Sequence, residues 1–461
     1  MIDKLKNKLN NSNDYIFKDI LIDNINISII FNEVLCNSES INKLFYFLVT
    51  KINKKNIKNI YKLIPCSNVL IIKYEDIINY INNGFIILIV DSNIYSIEVK
   101  SILDRGINTI ESELSICGSK DSFSENINTN IGLIRRRIKS NLCNISINIG
   151  SISNTKVNIL YIDNICDKRL VNNIINKLNR INIDGIIDSS YLKNSLEDSF
   201  NIFPTIMMSE RPDKSSMALL EGKVVILVDN SCYGLILPSF FIDFFHTPDD
   251  YYQKSINTSF IRIIRLLAFI ISIFTPAIYL SITTRNYDLV PRSLLLMLKA
   301  GRSFVPFPAY IEALFMIICF EILKESDLRM SSTSGSAVSI LGGLILGDAA
   351  VAAGIVSPIM IIVIAISSIA GLVFSSYELV NALRLYKILL LILSTLFGIY
   401  GVFIGLLLLI YNIYSTKIFG YRYFYLNKDS FIKIDEKVRK RNKYLTNNII
   451  RGRYKWKSIY L

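Results

Sequence analysis

The sequence predicts an α/β N-terminal soluble domain built from two related subdomains, followed by an α-helical multi-span transmembrane bundle. Three observations carry that prediction. Near residue 259 a polar half rich in Asn, Lys and Ile gives way to long apolar runs with few charges between them. Upstream, short β-branched runs alternate with stretches of helical spacing, the pattern of mixed strand and helix layers. Beyond Tyr414 the chain becomes strongly basic, with thirteen Lys and Arg against three carboxylates, which accounts for +10 of the formal net charge of +13. The expected division is therefore 1–258 as a cytoplasmic α/β domain, 259–414 as a transmembrane helical domain and 415–461 as a basic cytoplasmic tail.

From the N-terminus, Met1-Ile-Asp-Lys-Leu-Lys-Asn leads into polar sequence with no apolar h-region, so no signal peptide is expected and the first half should stay cytoplasmic. The run Gly84-Phe-Ile-Ile-Leu-Ile-Val-Asp91 ends in residues that tolerate tight turns and is followed by a second apolar stretch, which reads as a β-hairpin over 84–99. Gly222-Lys-Val-Val-Ile-Leu-Val-Asp229 repeats it 138 residues later, over 222–237, with Gly on Gly, Asp on Asp and Tyr95 on Tyr233. Hairpins share composition, so the match has two readings: related subdomains or coincidence. Between them Val157–Tyr161 reads as a buried strand, Leu170–Leu178 as a helix, and 183–188 as a short strand or turn.

Downstream, Phe260–Ile282, Pro308–Leu323, Ala337–Val356, Ile359–Phe374 and Ile388–Ile413 each approach the ~20 apolar residues that cross a bilayer. Arg262 and Arg265 at the start of the first run read as membrane-anchoring cations, and with the basic tail they place both ends on the cytoplasmic side, against anionic lipid headgroups. Both ends on one side require an even number of crossings, and five runs are odd. Either one run is re-entrant, in the Gly-rich 337–374 region, or Leu294–Val305 contributes another crossing.

The seven cysteines are scattered without C-x-x-C spacing, and His246 is the only histidine, so neither a disulfide framework nor a metal site is expected. No phosphate-cradling glycine loop or nucleophile elbow occurs, and neither a cofactor nor enzymatic activity is expected. The aromatic-interleaved Arg451–Lys457 stretch could contact nucleic acid, but directly after a membrane helix it reads as a lipid anchor, with no nucleic-acid partner.

Several segments together resemble the A-subunit family of GerA-type spore germinant receptors. They include Asn130-Ile-Gly-Leu-Ile-Arg-Arg-Arg, Ser209-Glu-Arg-Pro-Asp-Lys, Ala218-Leu-Leu-Glu-Gly-Lys, Pro248-Asp-Asp-Tyr-Tyr, Phe260-Ile-Arg-Ile-Ile-Arg, Phe320-Glu-Ile-Leu and the Gly-rich stretch Ala337–Val351. The resemblance implies a subunit in the inner membrane of a dormant spore. It also implies a homo-oligomer that works with a transporter-like, nutrient-binding B subunit and a lipoprotein C subunit. The related stage V sporulation membrane protein shares the architecture. Ile317 and Ala352 stand where relatives often carry Glu, Ser303-Phe304 replaces a typical Glu-Gly, and Ile110–Glu125 matches loosely, so this chain lacks carboxylates that a family-wide charge-lined pore would use.

Two carboxylates in apolar surroundings, Asp348 and Glu312, are candidates for an ion pathway, because an acid at membrane depth normally faces water or a partner. Small residues form two stripes, Ser336, Gly343, Gly347, Ala350 and Gly354, and Ser394, Gly398, Gly401 and Gly405, which read as close helix packing rather than pore lining. Pro276 should bend the first span. The leading functional expectation is an oligomeric, nutrient-gated cation channel subunit. Its alternative is a non-conducting scaffold that relays nutrient binding to a separate channel. A secondary transporter is disfavoured, since no inverted repeat is visible.

Overall fold

The computed structural model describes residues 12–22, 25–51, 69–90, 93–100, 118–139, 142–198, 201–329 and 347–424, with 5, 9, 113 and 343 as single positions. Ser336, Cys66, Cys117 and the tail beyond 424 lie outside the described residues. The chain forms two compact units, one from Met1–Ser199 and Ile206–Ser239, the other from Phe200–Thr205 and Phe240–Ile434. The boundary thus falls at Ser239/Phe240, earlier than the expected 258/259. The reason is bonding. Asp250 is paired to Arg262 and Arg265, and the Phe241 and Phe245 rings pack edge-on against Phe269, so 240–258 belongs with the long helix that follows.

The first unit contains two five-stranded sheets of one topology. In the first, β1 (Tyr15–Ile22), β2 (Ile25–Asn32), helix α1 (Ser38–Lys51), β3 (Val69–Ile71), α2 (Ile77–Ile81), β4 (Phe85–Val90) and β5 (Asn93–Glu98) give the order β1-β2-β4-β5-β3. Helix α3 (Ile127–Arg137) leads into the second. There, β6 (Leu142–Ile149), β7 (Thr155–Ile162), α4 (Lys168–Asn179), α5 (Ser189–Leu196), β8 (Met207–Ser209), α6 (Pro212–Leu220), β9 (Val224–Val228) and β10 (Gly234–Leu237) give β6-β7-β9-β10-β8. Every pairing in both sheets is antiparallel.

The correspondence extends to register. Ile27 faces Val90 and Ile30 faces Ile87 in the first sheet, as Val157 faces Val228 and Leu160 faces Val225 in the second. Cys36 and Cys166 occupy equivalent places just after β2 and β7. In both repeats the next residue caps the following helix, Asn37 accepting from the Glu39 N–H and Asp167 from the Arg169 N–H. Burial pushes both thiols up to about 12, so they stay protonated and inert. Gly84 and Gly222 share a positive φ where a helix turns into the hairpin. The Tyr95/Tyr233 match is not structural, however. Tyr95 sits opposite Leu88, whereas Tyr233 lies in the loop before β10, because the second hairpin has the longer connection.

An antiparallel sheet with one wet face would alternate polar and apolar residues, but β4 reads Phe-Ile-Ile-Leu-Ile-Val. Both faces are covered. Ile86, Leu88 and Val90 pack with Ile41, Leu44 and Leu48 of α1, while Ile87 and Ile89 pack on the other face with Ile77 and Ile81 of α2. The two halves are joined by Arg135, which is 2% exposed, bonds Asp14 and donates to the Ser12 hydroxyl at 2.9 Å and the Leu142 carbonyl at 3.3 Å.

The second unit is helical: α7 (Asp249–Tyr252), α8 (Ser255–Thr284), α9 (Arg292–Ala300), α10 (Ala309–Arg329), a helical stretch at 347–352, α11 (Pro358–Gly371), α12 (Tyr377–Phe397) and α13 (Ile399–Ser415), closed by the small hairpin β11 (Lys417–Ile418) and β12 (Tyr421–Arg422). Among the described residues, two helices, Ile256–Thr284 and Tyr377–Phe397, are long and apolar enough to cross a membrane, while Pro358–Gly371 and Ile399–Ser415 are apolar but shorter.

The run read from sequence as one segment, Ile388–Ile413, is two helices. Gly398, at φ +60, reverses the chain between them. A Cβ there would lie 2.3 Å from Asn286 Oδ1, the oxygen that accepts from the Ile399 N–H at 3.0 Å. Side-chain contacts show the hairpin: Gly401 lies against Leu393, Gly405 against Leu390, and Asn412 donates to the Tyr386 hydroxyl at 2.7 Å.

This break fixes the directions of the described helices within the unit. The ends of α8 and α12 meet where Arg285 donates to the Thr395 carbonyl at 3.1 Å, so these two run parallel. Helices α10, α11 and α13 run opposite to them. Arg302 and Ser357 meet Glu312 at the far end, Phe374 meets Phe245 at the near end, and the Phe241 N–H donates to the Tyr423 carbonyl at 3.2 Å just past α13. The chain thus returns, at Tyr423, to the end where α8 begins, while most of the expected run Ala337–Val356 lies outside the described residues. Residues 294–305 form α9 and a turn rather than a further pass.

Pro276 lies inside α8 without ending it. A proline cannot donate to the carbonyl four residues back, so Ser272 O loses its helical partner. Ser367 Oγ of α11 donates to it at 2.7 Å. Ser367→Ala is expected to leave that carbonyl unsatisfied and to lower stability by about 1–3 kcal/mol, with Ser367→Thr retaining most of it. Thermal unfolding of both variants in detergent checks this.

Candidate functional site

The candidate site is the set of charged side chains held inside the helical unit, where each ion must be paired or functional. Of the two carboxylates expected along an ion pathway, Glu312 is 1% exposed and fully engaged. Arg302 Nη2 donates to its Oε1 at 2.9 Å, and the Ser357 N–H and hydroxyl donate to its Oε2 at 3.1 and 3.0 Å. Ser357 precedes the first turn of α11, so this carboxylate ties the start of α11 to α10 and the turn before it. The charge of this acid is thus matched within the chain by Arg302. Asp348 is different: it is exposed on the stretch 347–352. Arg302 and Arg384, the arginines of the neighbouring segments, are engaged elsewhere, Arg302 with Glu312 and Arg384 with Glu321.

Arg262 and Arg265, expected at the headgroups, are turned inward. They are 3% and 8% exposed, and both bind Asp250 of α7. Arg262 Nε lies 3.0 Å from Asp250 Oδ2, and Arg265 Nη1 lies 3.0 and 2.9 Å from the two carboxylate oxygens. Arg265 also donates to the Phe245 carbonyl and the Thr247 hydroxyl. The Pro248-Asp-Asp-Tyr-Tyr and Phe260-Ile-Arg-Ile-Ile-Arg motifs are therefore two halves of one buried ion cluster.

The glycines separate into three kinds. Gly401 and Gly405 sit at helix contacts so close that a Cβ would lie 2.0 Å from the Leu393 carbonyl oxygen and 2.1 Å from Leu390 Cδ2. Gly398 and Gly354 are turn residues at positive φ, not members of a helical stripe. Gly343 has only a distant contact with Leu323, and a Cβ on Gly347 would meet nothing within 4 Å. Among the described residues, then, Gly343 meets Leu323 at ordinary van der Waals distance and Gly347 meets no side chain of this chain.

A further cluster escaped the sequence reading. Glu321 of α10 lies 2.7 Å from Arg384 Nε and 3.6 Å from Lys324 Nζ, and Lys387, one turn along α12 from Arg384, is 4% exposed beside them. The signal was present. Arg384 and Lys387, like Glu321 and Lys324, are three apart and so share a helix face. Starting the apolar run at Ile388 excluded both α12 cations.

In the soluble unit, Ser209-Glu-Arg-Pro-Asp-Lys holds Glu113 and Ser119. Arg211 is fully buried against Asp213 and donates to the carbonyls of Glu113 and Ser119, while Lys214 Nζ lies 2.6 Å from Glu113 Oε1. Burial alone would raise the Asp121 carboxyl, but the Arg137 hydrogen bonds and charge outweigh it and hold the group below its ordinary value.

The family model for the Bacillus/Clostridium GerA spore germination protein matches residues 3–445. Spore germination protein KA of Bacillus subtilis is 39% identical over 321 residues, which is 69% of this chain and 59% of that protein. The chain therefore spans less than two thirds of that relative. Spore germination protein GerQA of Bacillus cereus is 34% identical over 415 residues, 89% of this chain and 83% of that protein. The crystal structure of the N-terminal domain of the A subunit of the Bacillus megaterium spore germinant receptor GerK3 aligns with 52% of this chain and 94% of that one, at 27% identity and a TM-score of 0.39. With nearly its whole length matched, the chain belongs to the GerA family of spore germination proteins.

Proposed function

We propose that this protein is a membrane subunit of a spore nutrient-germinant receptor, placed in the inner spore membrane with its α/β domain cytoplasmic. As a homo-oligomer it forms the nutrient-gated cation pathway, and it works with a nutrient-binding B subunit and a lipoprotein C subunit. It carries no enzymatic activity in this reading. The observation that carries the membrane assignment is the outward face of the helical unit. Ile263, Leu267 and Ile270 of α8, Ile318 and Ile322 of α10, Ile366 and Ile369 of α11, and Phe403 and Leu407 of α13 are all exposed, a surface that water would not support. The return of the chain after α13 to the end where α8 begins supports both ends on one side of the bilayer.

Conduction rests on Asp348, a carboxylate exposed on a single chain and next to Gly347, whose Cβ position is open. A neighbouring copy packed on this face would enclose the acid beside a pathway. The purified protein in liposomes is expected to pass monovalent cations. Asp348→Asn should keep its protein level and lower flux by about tenfold, since a unit charge near 4 Å contributes about 1 kcal/mol in water and more at lower dielectric. Equal flux from Asp348→Asn would remove this residue from the pathway. No flux from the wild type would favour the scaffold reading, which draws on the arginine pairing of Glu312 and Glu321.

A further inference from the structure

We infer that the cationic cluster between α10 and α12 binds the phosphate of an anionic phospholipid headgroup. Among the described side chains, three cations, Lys324, Arg384 and Lys387, gather at the carboxylate of Glu321. Arg384 Nε touches Glu321 at 2.7 Å without hydrogen-bond geometry, and its Nη1 donates to Asn381 Oδ1 at 3.1 Å. Lys387 is the decisive residue. It is 4% exposed, and among the described residues it makes no hydrogen bond and no ion pair, although Lys324 and Arg384 stand beside it. Three like charges drawn together at Glu321, one of them buried without an ion pair, favour a further anion beside them.

The chemistry of that anion follows from the donors. A guanidinium presents a planar fork that fits two phosphate oxygens, and two ammonium groups add point charges. The source follows from the surroundings. Lys324 and Arg384 keep part of their side chains exposed, so the cluster is open to the exterior, and the residues next to it on the same helices are the exposed apolar Ile322, Leu385 and Ile388. A phosphate whose acyl chains lie along those side chains satisfies both features, as basic pockets between membrane helices do. The inference rests on the membrane reading given above.

The full chain is placed in nanodiscs of phosphatidylcholine, with or without phosphatidylglycerol, and co-purifying lipid is quantified by mass spectrometry alongside the melting temperature. Phosphatidylglycerol should be retained selectively and raise the melting temperature. Lys387→Gln and the partly exposed Lys324→Gln should each weaken retention about fivefold, the factor for about 1 kcal/mol per cation near a lipid phosphate. Equal retention by the wild type and Lys324→Gln would overturn the site, and this holds even where Lys387→Gln fails to fold. Inorganic phosphate producing the same rise in phosphatidylcholine alone would overturn the lipid source. Failure to enter nanodiscs of either composition would overturn the membrane reading and the inference with it, an outcome distinct from insertion without selectivity.

Discussion

Gly401→Ala is expected to lower the stability of the helical unit by about 3 kcal/mol, the upper end of the ordinary overpacking range, and Gly401→Leu to abolish accumulation of folded protein. The obstacle is backbone. A Cβ at 401 would stand 2.0 Å from the Leu393 carbonyl oxygen and 2.5 Å from its carbon, and no rotamer change moves either atom. Relief requires the α12–α13 hairpin to open, which pulls on the Gly398 turn and on the Asn412–Tyr386 hydrogen bond. Gly405→Ala should cost less, about 1–2 kcal/mol, because the atom in its way belongs to the Leu390 side chain, which can rotate. At Gly347 no described atom of the same chain stands in the way, so Gly347→Ala should leave the fold of the single subunit neutral or slightly stabilised through helix propensity. Membrane protein level and melting temperature across the three positions check the order. Equal tolerance at 401 and 347 would mean that the two helices do not form this hairpin.

Asp250→Asn should cost about 3–5 kcal/mol, because it leaves two buried guanidinium groups facing each other without their shared counter-charge. Arg262 and Arg265 are 3% and 8% exposed, so neither can reach water without disturbing the start of α8. Replacing the cluster as a whole, Asp250→Leu with Arg262→Met and Arg265→Met, should recover much of the loss, since apolar groups of similar volume remove the desolvation cost together with the pairing. Melting temperatures of the single and triple variants decide the matter. An unchanged melting temperature in Asp250→Asn would mean that the arginines reach lipid headgroups, the anchoring role that their sequence position suggests.

These cases mark how far local sequence reaches. The β-branched runs at 85–90 and 224–228 are strands because branched and apolar side chains suit a pleated, covered surface, and that preference is local. The long apolar run at 260–282 lies within α8 for the same kind of reason. Turn glycines and motif spacing were also legible, and so was the family. Lys387 was readable in principle from its spacing to Arg384, but only the fold shows what surrounds it.

By itself, then, the sequence determined the α/β character of the first half, the apolar helices of the second and membership of the GerA family, all of which depend on neighbours a few residues apart. Tertiary structure decided the rest. It made the last apolar run two helices, because the φ of Gly398 depends on Asn286 and Arg285 packed beside it, more than a hundred residues away in the chain. It decided which charges are spent on one another: Glu312 on Arg302, Asp250 on Arg262 and Arg265, Glu321 on Arg384. And it left Asp348 exposed and Lys387 buried, because an ion's partner is set by which side chains the fold brings within a few ångströms, a distance that sequence separation does not encode.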